Sequence, residues 1–161
     1  MRGVVLGLAL AVGVSACELV PGCGAKAPKL QADRVTVEQG VWGQVNFWQG
    51  NFMPGGCTSG TITAVRRQLF VYPPTPDSVV VHDGYGGFIK SIPIPAVDSV
   101  WSDDSGFFQI ALPAGDYSLL VREEGRLFAN LWGQDFIIRP VRVEVGAATA
   151  LTFNIDYKAA W

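Results

Sequence analysis

The chain has 161 residues, of which 49% are hydrophobic and 16% charged, with a formal net charge of −2. That length fits one domain large enough to bury a core of its own. The mild acidic balance argues against a nucleic-acid partner, which usually demands a basic patch, and gives no special attraction to an anionic membrane surface.

Arg2 is followed by an apolar run from Val4 to Val14, and the small residues Ser15 and Ala16 precede Cys17. The run is too short to span a bilayer, which needs ~20 apolar residues. A charged start, an apolar middle and a small-residue cleavage point make a secretory signal. The segment Val14-Ser15-Ala16-Cys17 resembles the bacterial lipobox. That resemblance implies removal of residues 1–16, acylation of Cys17, and a domain tethered to a membrane of the bacterial cell envelope. Glu18 after the cysteine favours the outer membrane. Acyl chains attach at ~0.8 kcal/mol per buried CH₂, so several make the anchor durable. The alternative is an ordinary secretory signal that leaves Cys17 an unmodified thiol. Without Arg2, 11 of the 12 basic side chains face all 14 acidic ones.

If lipid occupies Cys17, Cys23 and Cys57 remain in an oxidising compartment, where a disulfide between them is expected. Such a bridge would stabilise the fold by roughly 3–4 kcal/mol in the chain-entropy model. Two free thiols, with Cα atoms beyond ~7 Å, are the alternative. Residues 17–33 carry Pro, Gly and Lys with no sustained period and form a tether. The folded domain is expected over 34–161.

Period-two alternation begins near Arg34, with Val35 and Val37 against Thr36 and Glu38. Val41, Val45 and Phe47 then share one face of a strand, opposite Trp42, Gln44, Asn46 and Trp48. Gln49 to Ser59 is a turn-rich loop. Arg66 to Tyr72 is extended until Pro73, Pro74 and Pro76 stop it. Shorter candidates follow at Val79–Val81, Phe88–Ile94 and Val97–Trp101. The last third alternates clearly: Phe108, Ile110 and Leu112; Tyr117, Leu119 and Val121; Val141, Val143 and Val145; Leu151, Phe153, Ile155 and Tyr157. Short strands with one apolar face each, separated by Gly, Pro and Asp turns, predict an all-β antiparallel sandwich of about seven strands.

Two segments carry a further resemblance. Ser102-Asp103-Asp104-Ser105-Gly106-Phe107-Phe108 is an Asp-x-x-Gly-x-Phe turn, and Leu112-Pro113-Ala114-Gly115-Asp116-Tyr117 follows it as Leu-Pro-x-Gly-x-Tyr. Together they resemble the carboxypeptidase regulatory-like domain, a prealbumin-like (transthyretin-like) sandwich, over roughly Val41 to Tyr157. The resemblance implies an accessory or interaction module and no catalytic region. The Tyr-Arg-Gly-Ser ending and several histidines of the related hydrolases are missing, since the chain ends Tyr157-Lys158-Ala159-Ala160-Trp161 and holds one histidine. The Lys–Asn isopeptide bond of some related surface domains is not expected either, because Val41 to Trp48 contains no lysine to join Asn154.

His82-Asp83 is the one adjacent His–carboxylate pair, but neighbours on a strand point to opposite faces and no nucleophile elbow accompanies it. Asp98, Asp103 and Asp104 gather oxygen ligands without the spacing of a calcium loop. No catalytic residue, metal or cofactor is expected. The aromatics Trp42 and Trp48 on one strand, and Phe70 and Tyr72 on another, could form a ligand-binding strip if the two strands share a sheet. Otherwise loops cover them as a second small core. The expected function is non-enzymatic: a lipid-anchored envelope interaction module meeting a protein partner or a glycan. The alternative is a carbohydrate-binding accessory lipoprotein using those exposed rings.

Overall fold

In a computed structural model, residues 24–54, 59–84 and 86–161 are described. The signal segment and the three cysteines, Cys17, Cys23 and Cys57, lie outside them.

The alternation in the first clear strand settles the architecture. β1 (Gly40–Asn51) turns Val41 and Val45 into the core, both fully buried, with Phe47 packed against it. It forms one sheet with β2 (Thr61–Ala64), β7 (Phe107–Ala111) and β11 (Ala148–Ala160). β7 pairs with Gly40 to Gln44 and β2 with Asn46 to Gln49. β11 pairs with β1 along nearly its whole length, and it runs parallel to it.

The second sheet holds β3 (Gln68–Tyr72), β4 (Val81–His82), β5 (Phe88–Ser91), β6 (Asp98–Trp101), β8 (Gly115–Glu123), β9 (Arg126–Phe128) and β10 (Pro140–Val143), all antiparallel. The order is β4-β5-β9-β8-β3-β6, with β10 also on β8. Leu69 and Val71 of β3, Leu119 and Val121 of β8, and Phe153 and Ile155 of β11 meet Val41 and Val45 in one core between the sheets. A β-sandwich is thus the fold.

Eleven strands are found among the described residues, against about seven expected. Those with no counterpart among the expected stretches, β2 and β9, span four and three residues, too few to show an alternation. The parallel β1–β11 pair is also new, because alternation reports faces and not strand direction. Residues 34–38 are not a strand either: Ala32–Arg34 is a 3₁₀ turn and the chain stays irregular until Gly40. Val145 lies past the end of β10 and is 84% exposed.

Local chemistry holds the predicted turn. The Asp103 carboxylate accepts the N–H groups of Ser105 (2.9 Å) and Phe107 (3.1 Å), and Gly106 N–H donates to Asp103 O at 2.8 Å. Gly106 sits at φ +76°, where a Cβ would strike the Gln44 amide and the Val45 carbonyl. Burial alone would raise the Asp103 pKa, but hydrogen bonds from the Ser105 side chain, Arg34 and the backbone of Phe107 and Ser105 hold it down at about 2. In the next hairpin the Tyr117 hydroxyl finds the partner its polar tip needs, donating to Pro113 O at 2.9 Å.

Candidate functional site

β1 and β3 belong to different sheets, so Trp42, Trp48, Phe70 and Tyr72 do not form one strip. Tyr72 is buried with Ile89, Leu120, Ala129 and Ile138 in a second core on the outer face of the larger sheet, and Phe70 packs against it. The Pro-rich stretch after Tyr72 covers this face, with Ile138 N–H donating to Thr75 O at 2.9 Å. Trp42 is half-buried in register with Gln109, whose side-chain carbonyl accepts Thr36 N–H at 2.8 Å. Of the four, Trp48 lines the cleft described next.

Trp48 lies near the end of β1 on the face turned away from the core. Its ring packs against Phe52 at 5.0 Å and Trp161 at 5.5 Å, and those two stack at 5.3 Å. Phe52 N–H donates to Ala160 O at 2.8 Å, which ties the end of β1 to the end of β11. Gly60 leaves room for the Phe52 ring, which a Cβ there would strike.

A bulge completes the arrangement. Phe47 pairs with Ile155 but Gln49 pairs with Lys158, so Asp156 and Tyr157 together oppose Trp48. An extra residue re-aims side chains locally. Tyr157 turns inward, with ring centroids 5.6 Å from Phe47, 4.9 Å from Phe88 and 5.6 Å from Phe128. Burial, then Glu123 and Glu124, push its hydroxyl pKa up. Asp156 instead joins the wall of the outer cavity.

That cavity measures about 220 Å³ and is bounded by Trp48, Trp161, Asn130, Leu131, Arg139, Asn154 and Asp156. A neighbouring one of about 350 Å³ shares Asn130, Asp156 and Trp161 and adds Trp132. Arg139 comes from the loop before β10, at φ +37°, a backbone strain that a side chain rarely tolerates. Its guanidinium donates to Thr152 O and lies 5.1 Å from the Phe153 ring centroid. Burial lowers its pKa, opposed by the Asp156 carboxylate.

Several polar atoms on this face of the sheet lack a partner. Trp48 Nε1, Arg139 Nε, Asn154 Oδ1 and both amide atoms of Asn46 are buried without a hydrogen-bond partner among the described residues. Asn46 is directly opposite Asn154 across the β1–β11 pair. Each unpaired buried group costs ~1–3 kcal/mol, so this concentration makes the cleft a candidate site. Sequence reasoning reached Trp48 and missed Trp161, Arg139, Asn154 and Asp156. The available signal was Asn154 and Asp156 on the outward side of one alternating strand, and Asn46 and Trp48 on the outward side of another.

The other candidates are engaged elsewhere. His82 Nε2 lies 3.1 Å from Asp77 Oδ1, which also accepts Trp132 Nε1–H at 2.7 Å. Asp83 pairs with Arg126 at 3.2 Å instead. Asp98 caps Ser99 N–H at 2.7 Å, and among the described residues no group of three His, Cys, Asp or Glu is placed to hold a metal ion. No described helix is long and apolar enough to cross a membrane. Compared with protein-family models, curated proteins and solved structures, the chain matches none.

Proposed function

We propose that this protein is a non-enzymatic binding module of the bacterial cell envelope, tethered through acylated Cys17 and presenting the Trp48–Trp161 cleft to an envelope component. The observation that carries this reading is the cleft itself: clustered indole rings beside buried donors and an acceptor that the fold leaves unpaired. The lipobox-like segment supports the tether and the outer membrane as its site. A Cys23–Cys57 bridge would brace the loop after β1. The hydrogen-bonded Asp103–Phe107 turn and the Tyr117–Pro113 closure support the carboxypeptidase regulatory-like reading of the sandwich.

The test has two arms. Cys17→Ser should release the protein from the membrane fraction. A photo-crosslinking amino acid at position 161 should trap an envelope component in native membranes, and one at the remote, 55% exposed position 101 should not. A serine variant that still partitions with membranes sinks the tether. Equal crosslinking from both positions sinks the cleft.

A further inference from the structure

We infer that the Trp48–Trp161 cleft takes an uncharged saccharide. This deepens the preceding reading and rests on it. Three features of the cleft point the same way.

The unpaired groups are of both kinds: the indole N–H of Trp48 and the guanidinium Nε–H of Arg139 are donors, and Asn154 Oδ1 is an acceptor. Each is covered by its neighbours in the ligand-free fold, so a ligand reaches them as the side chains over them move aside. A hydroxyl both donates and accepts from one atom, so adjacent hydroxyls on a ring can serve such a mixed set. The charges oppose one another. Arg139 is desolvated and feels the Asp156 carboxylate, so an anionic ligand would meet Asp156 and a cationic one Arg139. Finally, Trp161 is 62% exposed beside Trp48 and Phe52. Its ring offers a flat apolar surface to the C–H face of a sugar while the polar wall takes the hydroxyls.

Cavities of about 220 and 350 Å³ with shared walls suit a short run of sugar rings. A peptide strand fits the polar set less well, because its donors and acceptors alternate at fixed spacing and it presents no flat C–H face. A phosphate finds one cation with a carboxylate beside it.

The full chain in detergent is titrated with neutral oligosaccharides of glucose, galactose, mannose and N-acetylglucosamine, followed by tryptophan fluorescence and calorimetry. At least one should bind, with Trp161→Ala weakening it at least about tenfold and Trp101→Ala leaving it unchanged. Asn154→Ala should weaken it too, with thermal unfolding checking that the fold persists. Binding that Trp161→Ala does not weaken overturns the placement. If no sugar binds but crosslinks from position 161 still trap a protein, the saccharide reading falls and the binding module stands. If no sugar binds and position 161 traps nothing, both fall.

Discussion

Replacing Gly106 by alanine separates two kinds of backbone constraint in the turn before β7. Gly106 has φ +76°, and a left-handed conformation costs an alanine about 1–2 kcal/mol. The new Cβ would also strike the Gln44 amide and the Val45 carbonyl oxygen, and would sit 3.2 Å from Ala64 Cβ. Val45 N–H donates to Gly106 O at 2.8 Å, so the strand cannot retreat without losing that bond. Relieving such crowding costs about 1–3 kcal/mol. The total expected loss is about 2–5 kcal/mol. Gly125 is the matched control: its φ is +79° and a Cβ there meets nothing within 4 Å. Gly125→Ala should therefore lose only the conformational part, about 1–2 kcal/mol. Urea unfolding of both variants measures the difference, at a slope of roughly 1–3 kcal/mol per molar. Equal losses in the two would refute the close approach of the turn to β1.

Arg67 donates to both oxygens of Glu123 (2.8 and 3.3 Å), a carboxylate in a residue only 5% exposed. Arg67→Met should cost about 3 kcal/mol by stranding that charge, and adding Glu123→Leu should recover much of the loss. Additive losses in urea unfolding would contradict this. The Asp103 carboxyl is depressed from 3.8 to about 2 in the fold. A folded pKa below the unfolded one stabilises above the unfolded value and is lost as pH falls through the folded value. The stability gap between wild type and Asp103→Asn should thus be constant at neutral pH and shrink from about pH 4 to about pH 2. A gap independent of pH across that window would show that the turn does not hold the carboxylate.

What was legible in the sequence was what neighbours in the chain decide. Asp103 caps N–H groups two and four residues on, and Tyr117 reaches back four residues. The faces of β1 and β11 follow from alternation alone. Which sheet a strand joins depends on distant pairing, so Trp48 and Tyr72, on similar strands, end on opposite sheets. The cleft was hidden for the same reason. Arg139 belongs to a strained loop, and Asn154, Asp156 and Trp161 reach Trp48 through a strand pairing that alternation does not report. The parallel β1–β11 pair sets these residues beside Trp48, and Arg139 joins them by donating to Thr152 O of β11.

The chain has five tryptophans, and each gives a separate indole N–H resonance. Following those five signals while envelope glycans are added tests the cleft most directly. Trp48 and Trp161 should shift together, the unpaired Trp48 N–H moving most, while Trp42 and Trp101 stay in place. Shifts centred on Trp42 or Trp101, with Trp48 unmoved, would place the binding surface elsewhere.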